Sequence, residues 1–416
     1  MNSHTTRHHR RWIAPARASS LLVACLFIPW PTTAWAHTCT FATVGKTMLL
    51  EADCETTTPI VIPDGWTLDG KGHTITAVEA AAGAWNGAVI TTEGSAAHVR
   101  NLVLTAESLA CACNQKDDSD QRLRGILFDG AGGTIRNCTV RNLTMTQPCG
   151  CQEGNGIEVR SYAGDTTHDD GVTVLIQRNL VTGYQKNGIV LAGDVEAIVA
   201  ENRVEGFGPT DAIAQNGIEF GMGATGLAMG NEVSGNWYIG TTWASTGILI
   251  FESDRVSVIH NILVDNQVGV GVEAWCWSAP SADGNRVAAN QVFGAQVGVS
   301  IAAYNLGSYS QCAATANDNR VLLDQLTSEA GEIGVVIATG EAFCPCEDQE
   351  PEADGNLLWR NDIEGFAVPV QDEGTGTVVL GDRTNGRDSV AQVREPVAHR
   401  ARSPIPRWTR TASPGL

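Results

Sequence analysis

Three glutamates in this chain stand on or just after one short motif, a glycine followed by Ile or Val. Glu158 and Glu219 directly follow the pairs Gly156-Ile157 and Gly217-Ile218, and Glu273 comes two residues later than this position, in Gly269-Val270-Gly271-Val272-Glu273. Two carboxyl groups that flank a sugar can protonate a leaving oxygen and activate a water, which is the chemistry of glycoside hydrolysis. Arg160 could instead neutralise a substrate carboxylate, as a lyase or an epimerase requires before a proton leaves the neighbouring carbon. We therefore take Glu158, Arg160 and Glu219 as candidate catalytic residues and Glu273 as a candidate substrate-binding residue.

The motif belongs to a repeat of Gly-Ile or Gly-Val pairs that runs through most of the chain. The glycines of this repeat are Gly87, Gly125, Gly156, Gly188, Gly217, Gly247, Gly269, Gly298 and Gly334. They alternate with Asn-x-Val triplets or close variants at Asn101, Asn137, Asn179, Asn202, Asn231, Asn261, Asn290, Asn319 and Asn356, with an extra Asn285-Arg-Val. The shortest full repeat is about 23 residues, which is the length of one coil of a β-solenoid.

The apolar residues alternate with other residues, as in Ile157 and Val159 or Ile248 and Ile250, which indicates strands and not helices. The repeated asparagines predict ladders in which each side chain binds the backbone of a neighbouring coil. With the Ile and Val side chains inside, the residues between them face outward, and stacked strands place Glu158 and Glu219 about 9 to 10 Å apart. The same spacing is expected between Glu219 and Glu273.

The Asn-x-Val and Gly-Ile-x-Val coils resemble the right-handed parallel β-helix of the pectate-lyase-like superfamily, over roughly residues 60–380. The resemblance implies an all-β fold, here of about ten coils, and one of many activities, among them those of lyases, epimerases and hydrolases of polysaccharides. The catalytic signatures of the mannuronan epimerases, polygalacturonases and pectate lyases are missing from the chain.

Insertions leave the coils at two corners, and they predict a groove whose floor is the outward face of the Gly-Ile strands. Several aromatic residues fall in or beside these insertions: Trp237, Tyr238, Trp243, Phe251, Trp275 and Trp277. Their flat rings could bind the apolar face of a sugar, and together with Asp129 and Glu273 they form the predicted substrate-binding set. The alternative is that Trp275 and Trp277 pack a disulfide loop, and that the floor carboxylates are merely solvated.

The first 36 residues read as a cleaved signal peptide, with arginines before an apolar run and Ala34-Trp35-Ala36 before His37. We therefore expect a secreted or periplasmic protein. The domains predicted are residues 1–36 as the signal, 37–382 as the β-helix and 383–416 as a basic, disordered tail. Transmembrane segments are not expected.

Removal of Cys25 with the signal leaves eleven cysteines, which form local groups: Cys39 and Cys54; Cys111, Cys113, Cys149 and Cys151; Cys276, Cys312, Cys344 and Cys346. In an oxidising compartment these groups predict disulfides, with Cys138 left over. Binding of zinc or copper by the Cys-x-Cys pairs is the alternative.

Residues 37–382 carry 16 basic and 44 acidic residues, a net charge of −28, which excludes nucleic acid as a partner. This acidity suggests calcium as the one cofactor to expect, at the runs Asp117 to Asp120, Asp165 to Asp170 and Glu347 to Asp354.

Two classes of function remain. The first is a secreted carbohydrate-active enzyme, and the second is a non-catalytic surface protein that binds a glycan or another partner. A cyclase or a metal-handling accessory protein is a third reading. The sequence leaves the oligomeric state open.

Overall fold

A computed structural model describes residues 38–80, 85–106, 109–110, 121–145, 150–162, 171–241, 243–276, 280–305, 313–341, 350–388 and 392–393. The chain divides between Ala36 and His37. The description that follows concerns the part from His37 onward. The predicted signal, most of the basic tail and all the Cys-x-Cys cysteines except Cys151 lie outside the described residues.

The described chain is built from short strands that stack in three faces along one axis. The first face is a single sheet whose strands lie in chain order. Its strands are β1 (Phe41–Val44), β2 (Thr47–Leu50), β5 (Trp66–Asp69), β8 (Ala96–Arg100), β11 (Gly132–Arg136), β14 (Val172–Gln177), β17 (Val195–Ala200), β20 (Thr225–Met229), β23 (Val256–Ile259), β26 (Arg286–Ala288), β29 (Arg320–Leu322), β31 (Leu357–Trp359), β33 (Val378–Leu380) and β36 (Gln392–Val393). From β2 to β33 every pairing is parallel.

The second face, the Asn face, follows the asparagine corner. Its strands are β3 (Cys54–Thr56), β6 (Thr74–Ala77), β9 (Val103–Ala106), β12 (Thr139–Leu143), β15 (Leu180–Tyr184), β18 (Arg203–Thr210), β21 (Glu232–Tyr238), β24 (Ile262–Val264), β27 (Gln291–Phe293), β30 (Gln325–Glu341), β32 (Asp362–Asp372), β34 (Arg383–Thr384) and β35 (Arg387–Asp388).

The third face, the Gly-Ile face, carries the motif glutamates. Its strands are β4 (Ile60–Ile62), β7 (Ala88–Thr92), β10 (Arg124–Asp129), β13 (Asn155–Ser161), β16 (Asn187–Gly193), β19 (Asn216–Gly221), β22 (Thr246–Phe251), β25 (Val268–Ala274) and β28 (Val297–Asn305). The long strands β30 and β32 continue from the Asn face onto this one, since β28 also pairs with β30. The all-β solenoid predicted from the repeat is confirmed.

The core lies inside the solenoid and consists of the alternating apolar residues. On the Gly-Ile face the inward side chains are fully buried, among them Ile126, Phe128, Ile157, Val159, Ile218, Phe220, Ile248 and Ile250. Side chains on one strand alternate between the two sides of a sheet, so the residues between them must point outward. The predicted inward and outward sets are therefore correct.

A ladder of buried polar residues stands at the corner before the Asn face. Its members are Asn179, Asn202, Asn231, Asn261, Asn290, Asp324, Asn361 and Asp382. In a typical step, Asn231 Oδ1 accepts hydrogen bonds from the backbone N–H and the side-chain amide of Asn202, at 2.9 and 3.0 Å. The Asn231 amide in turn donates to the carbonyl of Val199 at 2.8 Å. The ladder thus satisfies backbone groups that the tight corner would leave unpaired.

Four of the repeat asparagines lie outside this ladder, and the prediction that all of them stack is wrong only for Asn101 and Asn137. Asn101 and Asn137 stand one residue earlier and adopt left-handed φ angles of 53° and 54°, a conformation that asparagine tolerates. Asn319 and Asn356 belong with Asn285 to a second ladder at the corner before the first face. A triplet motif cannot distinguish these columns, because each has an asparagine followed by strand residues.

Two of the cysteine predictions fall on described residues. Cys39 and Cys54 form a disulfide, and Cys138 is free and buried. Cys138 occupies the ladder column beneath Asn179, whose Oδ1 accepts the Cys138 N–H at 3.0 Å. Burial raises the pKa of its thiol to about 12, so this cysteine is inert. Cys151 and Cys276 are also disulfide-bonded.

Candidate active site

The outward side chains of the Gly-Ile face form two rows that cross successive coils. We call them the first and second floor rows. The first floor row is Leu127, Glu158, Val190, Glu219, Leu249, Gly271, Ser300 and Val336. The second floor row is Asp129, Arg160, Ala192, Gly221, Phe251, Glu273, Ala302 and Ala338. The sequence therefore predicted the composition of this floor correctly.

Most of the floor is covered. Its last coils contribute Ala302, Val336 and Ala338 to a small apolar cluster outside the main core, which also contains Val268, Val297 and Tyr304 and against which Trp275 packs. Partial exposure remains at Asp129, Glu219 and Phe251, and at Trp243 and Trp275 beside them. Apart from Asp129 on β10, the exposed part of the floor is therefore short and lies on strands β19 to β25; we call this region the cleft.

Glu158 is locked into an ion pair. Arg124 Nε donates to Glu158 Oε2 at 2.6 Å, and the amide of Asn155 donates to the same oxygen at 2.7 Å. Burial alone would raise the pKa of Glu158, but the charge and hydrogen bond of Arg124, the charge of Arg160 and the amide of Asn155 together hold it below the ordinary value. A carboxylate stabilised in this way is a weak base and cannot act as an acid.

Arg160 is likewise committed to a partner within the chain. Its Nε donates to Asp129 Oδ1 at 2.9 Å and its Nη2 donates to Oδ2 at 2.6 Å. This two-point contact is the geometry in which a guanidinium binds a carboxylate best, so Asp129 occupies the place that a substrate carboxylate would take. The sequence suggested that Arg160 is available to bind a substrate carboxylate. In the structure Asp129 already binds it.

Glu219 stands at the centre of the cleft. Its Oε2 accepts a hydrogen bond from the amide of Asn216 at 3.1 Å. Burial raises the pKa of Glu219, and the charge of Lys186 and the Asn216 amide reduce that rise without cancelling it. Lys186 donates to the carbonyl of Ala214 at 2.9 Å, and burial lowers the pKa of its amine. Glu219 is thus a partly exposed carboxylate without an Arg partner.

Glu273 differs from both other glutamates, because burial raises the pKa of its carboxyl to about 7. The charge of Glu219 adds to this rise. The indole N–H of Trp275 acts in the opposite direction, although it is too far or too poorly aligned to close a hydrogen bond of ordinary geometry. A carboxyl with a pKa near 7 keeps its proton in much of the protein population at neutral pH, which is what a general acid requires.

Each of these two carboxylates lies against a glycine on its own strand. A methyl group at Gly221 would lie 3.4 Å from Glu219 Oε1, and one at Gly271 would lie 3.3 Å from Glu273 Oε1. Glu219 thus leans from the first floor row toward the second, and Glu273 leans from the second toward the first. Glu273 stands in the second floor row and Glu219 in the first, so the predicted spacing of the two does not come from a shared row. Since both side chains lean toward the midline, their carboxyl groups are separated mainly along the helix axis, by two coils or about 10 Å.

Aromatic rings form one wall of the cleft. Trp243 and Trp275 stack with their ring centroids 5.6 Å apart, and Phe251 meets Trp275 edge to face at 5.4 Å. The structure thus brings together three of the six aromatic residues predicted to bind substrate. Trp237 and Tyr238 lie at the end of strand β21, paired with β18 and not in an insertion, and no described ring contact joins them to this wall. Trp277 lies outside the described residues.

Arg124, Asn155, Asn216 and Lys186 were not among the predicted site residues. Three of them carried a signal, because Arg124, Asn155 and Asn216 all stand directly before a Gly-Ile pair. Asn187 holds the same position on strand β16, and its Oδ1 is buried without a hydrogen-bond donor. Arg124 and Asn155 lower the pKa of Glu158, and Asn216 lowers that of Glu219, in each case against the rise that burial causes.

A metal site does not emerge from the described part of the chain, where no group of three or more His, Cys, Asp or Glu side chains could hold an ion. Two of the three predicted calcium runs, and part of the third, lie outside it. The described residues also contain no helix long and apolar enough to cross a membrane.

Comparison with known proteins supports the fold. Residues 124–320 match the family model of the right-handed β-helix region. A mutant of the periplasmic alginate epimerase AlgG has a similar structure, with 12% identity, a TM-score of 0.53 and coverage of 81% of this chain and 84% of that one. The A-module of the Azotobacter vinelandii mannuronan C-5 epimerase AlgE4 gives 15% identity, a TM-score of 0.50 and coverage of 80% and 90%.

The Dettilon tailspike protein gives 14% identity and a TM-score of 0.51 over 82% of this chain, which spans only 59% of the tailspike. A search of curated protein sequences gives no match. The chain folds as a right-handed parallel β-helix. At these identities the similarity establishes the fold only, and the activity has to be argued from the residues of the cleft.

Proposed function

We propose that this protein is a secreted carbohydrate-active enzyme that cleaves a glycan in the cleft over strands β19 to β25. The observation that carries the proposal is the pairing of two carboxyl groups of different character, Glu273 with a pKa near 7 and the more exposed Glu219. Environments that push two carboxyl pKa values apart identify an acid and a base.

In this mechanism Glu273 is the general acid and Glu219 is the general base. Glu273 gives its proton to the glycosidic oxygen as the bond from that oxygen to the anomeric carbon breaks. Glu219 takes a proton from a water that attacks the same carbon from the opposite side. The separation of about 10 Å lies at the upper end of the range for hydrolases that invert the anomeric carbon, and it leaves room for the water.

Hydrolysis is favoured over the lyase and epimerase alternatives by the state of Arg160. Those reactions remove a proton next to a carboxylate, which a cation must first neutralise. Arg160 is held by Asp129, and Arg124 is held by Glu158. The stacked pair Trp243 and Trp275 supplies a flat apolar surface for a sugar ring in either case.

The test is a reaction screen of the oxidised protein from His37 onward against neutral and uronate-containing polysaccharides, with calcium or with chelator. New reducing ends without ultraviolet absorbance are expected. Absorbance of unsaturated ends would indicate a lyase, and proton exchange without cleavage would indicate an epimerase. Retention on a polymer without any reaction would favour the non-catalytic glycan-binding protein.

A further inference from the structure

The cations of the floor are all at one end of it. Arg124 and Arg160 are ion-paired with Glu158 and Asp129 on strands β10 and β13. Arg122, just before β10, makes no ion pair, and its Nε is buried without a hydrogen-bond acceptor. Strand β10 is three coils from β19, so Arg122 is about 14 Å along the axis from the coil of Glu219.

The centre of the cleft has a different character. Between Glu219 and Glu273 the floor is formed by Leu249 and Phe251, which are apolar. Among the described residues, Lys186 is the one cation that acts on Glu219, and its charge offsets only part of the rise that burial causes in the pKa of that carboxyl. Among the described groups that influence Glu273, none is cationic.

We propose that the sugar ring bound between Glu219 and Glu273 is a neutral sugar, and that a uronate ring is excluded from this position. The inference rests on the proposed function and adds the substrate class. A uronate there would add a carboxylate to a largely buried site that already holds two carboxyl groups, at low dielectric and with no guanidinium of the described residues at the centre of the cleft. A neutral ring carries hydroxyl groups that donate to the two carboxylates, and its C–H face packs on Trp243 and Phe251.

The preference is measurable with oligosaccharides that differ only at C6. β-1,4-linked mannan and mannuronan oligomers form one such pair, and β-1,4-glucan and glucuronan oligomers form a second. Binding to the full mature chain is followed by tryptophan fluorescence, because Trp243 and Trp275 lie in the cleft, and turnover is followed by reducing ends. Binding is measured at pH 8, and turnover is measured at pH 6, where Glu273 keeps its proton; each assay is run with calcium and with chelator.

We expect the neutral member of at least one pair to bind and react at least tenfold better than its uronate. Uronate binding equal to or better than neutral binding, with or without calcium, would overturn the substrate class and leave the proposed hydrolase intact if cleavage occurs. Neither binding nor cleavage in any pair would overturn the proposed function as well. The two failures are therefore distinguishable.

A gain-of-charge variant tests the same inference from the other side. Leu249→Lys places an amine on the first floor row between the two carboxylates, and Leu249→Met is the matched uncharged control. The lysine variant should reduce the preference for the neutral sugar at least fivefold relative to the methionine variant. An unchanged preference in a folded lysine variant would contradict the inference.

Discussion

At the scale of single residues, the three motif glutamates show that a shared sequence pattern does not give a shared role. All three face outward from the same sheet, as the alternation predicted. Their protonation is set by neighbours from other coils: Arg124 holds the pKa of Glu158 low, whereas burial raises that of Glu273 to about 7. Arg124 is 34 residues from Glu158 in the chain, so the motif alone could not reveal this contact.

Glu273→Gln should remove the general acid. We expect a loss of about 10² to 10⁴ in kcat/KM, with substrate binding largely retained. In the wild type, activity should fall as the pH rises through about 7, because Glu273 then loses its proton. It should also fall at low pH, as Glu219 becomes protonated at a pKa above its ordinary value. The variant should lose the alkaline fall.

The measurement is the pH profile of kcat/KM on a neutral oligosaccharide. Glu196→Gln is the matched control, since Glu196 is exposed on strand β17 of the first face. A full rate in Glu273→Gln would rule out this residue as the acid, and an unchanged rate in Glu219→Gln would do the same for the base.

Gly271 is a positioning residue for Glu273. Gly271→Ala adds a methyl group 3.3 Å from Glu273 Oε1 and 3.2 Å from Leu249 Cδ1, which is tighter than ordinary packing. Because these atoms are the ends of flexible side chains, the fold should tolerate the change while the carboxyl moves. We expect kcat to fall at least tenfold, KM to change little, and the alkaline limb of the pH profile to shift.

Ser257→Ala is a control of similar size, because Ser257 lies on strand β23 of the first face. Thermal unfolding of both variants separates misfolding from displacement of the carboxyl. If Gly271→Ala left the rate and the pH limb unchanged, the contact with Glu273 would have no role in catalysis.

At the scale of elements, periodicity predicted more than loop content did. Alternating apolar residues placed the inward side chains of the Gly-Ile face correctly, because strand geometry has a fixed period of two. The ends of β18 and β21 were expected to be insertions, but Pro209 pairs with Trp237 and Thr210 with Tyr238. Pairing of two neighbouring coils past the regular strand ends depends on both segments at once, which a single repeat does not show.

The ladder also contains a buried aspartate whose protonation the repeat did not reveal. Asp324 stands where its neighbours are asparagines, and it is 1% exposed. Its Oδ1 accepts from the backbone N–H and the amide of Asn290 at 2.7 and 2.9 Å. Its Oδ2 occupies the place of an amide and has no donor. Burial raises the pKa of Asp324 to about 7, which is consistent with a protonated Oδ2 that donates as an amide would.

Asp324→Asn should therefore stabilise the protein above pH 7. Because burial raises the pKa of Asp324 in the folded chain above the ordinary value of an aspartate, the folded state holds a proton that the unfolded state releases. The stabilisation that this proton gives to the folded state is present at low pH and is lost as the pH rises from about 4 through about 7. A difference of about three pKa units corresponds to roughly 4 kcal/mol, an upper bound for the gain.

Denaturant unfolding of both proteins at pH 5 and pH 8.5 measures this gain. Asn290→Asp is the converse variant, and it should lose stability mainly at the higher pH. Equal stability of Asp324→Asn and the wild type at pH 8.5 would show that the carboxyl is not ionised in the ladder.

At the scale of the whole molecule, a stack of parallel coils has two open ends. Antiparallel strands close both of them: β1 pairs with β2 at the start, and β33 with β36 and β34 with β35 at the other end. An open edge would expose backbone groups that pair readily with another chain. The Cys39–Cys54 disulfide joins the segment before β1 to strand β3 and so ties the first cap to the first coil.

Loss of this disulfide should weaken the N-terminal cap first. The bond closes a segment with a sequence separation of 15 residues, and a loop of that length contributes about 3 kcal/mol in the chain-entropy model. The double variant Cys39→Ser, Cys54→Ser should lose on the order of 2 to 3 kcal/mol of stability. It should also associate end to end, because a frayed cap exposes the edge of β2.

Denaturant unfolding, size-exclusion chromatography and amide hydrogen exchange of β1 to β3 measure these effects together. Cys138→Ser is the cysteine control, since Cys138 is outside any disulfide; its burial predicts a loss spread over the ladder and not confined to the cap. A double variant with native stability and native exchange in β1 and β2 would show that the hairpin closes this end unaided. This end of the fold would then not need the oxidising compartment to which the predicted export leads.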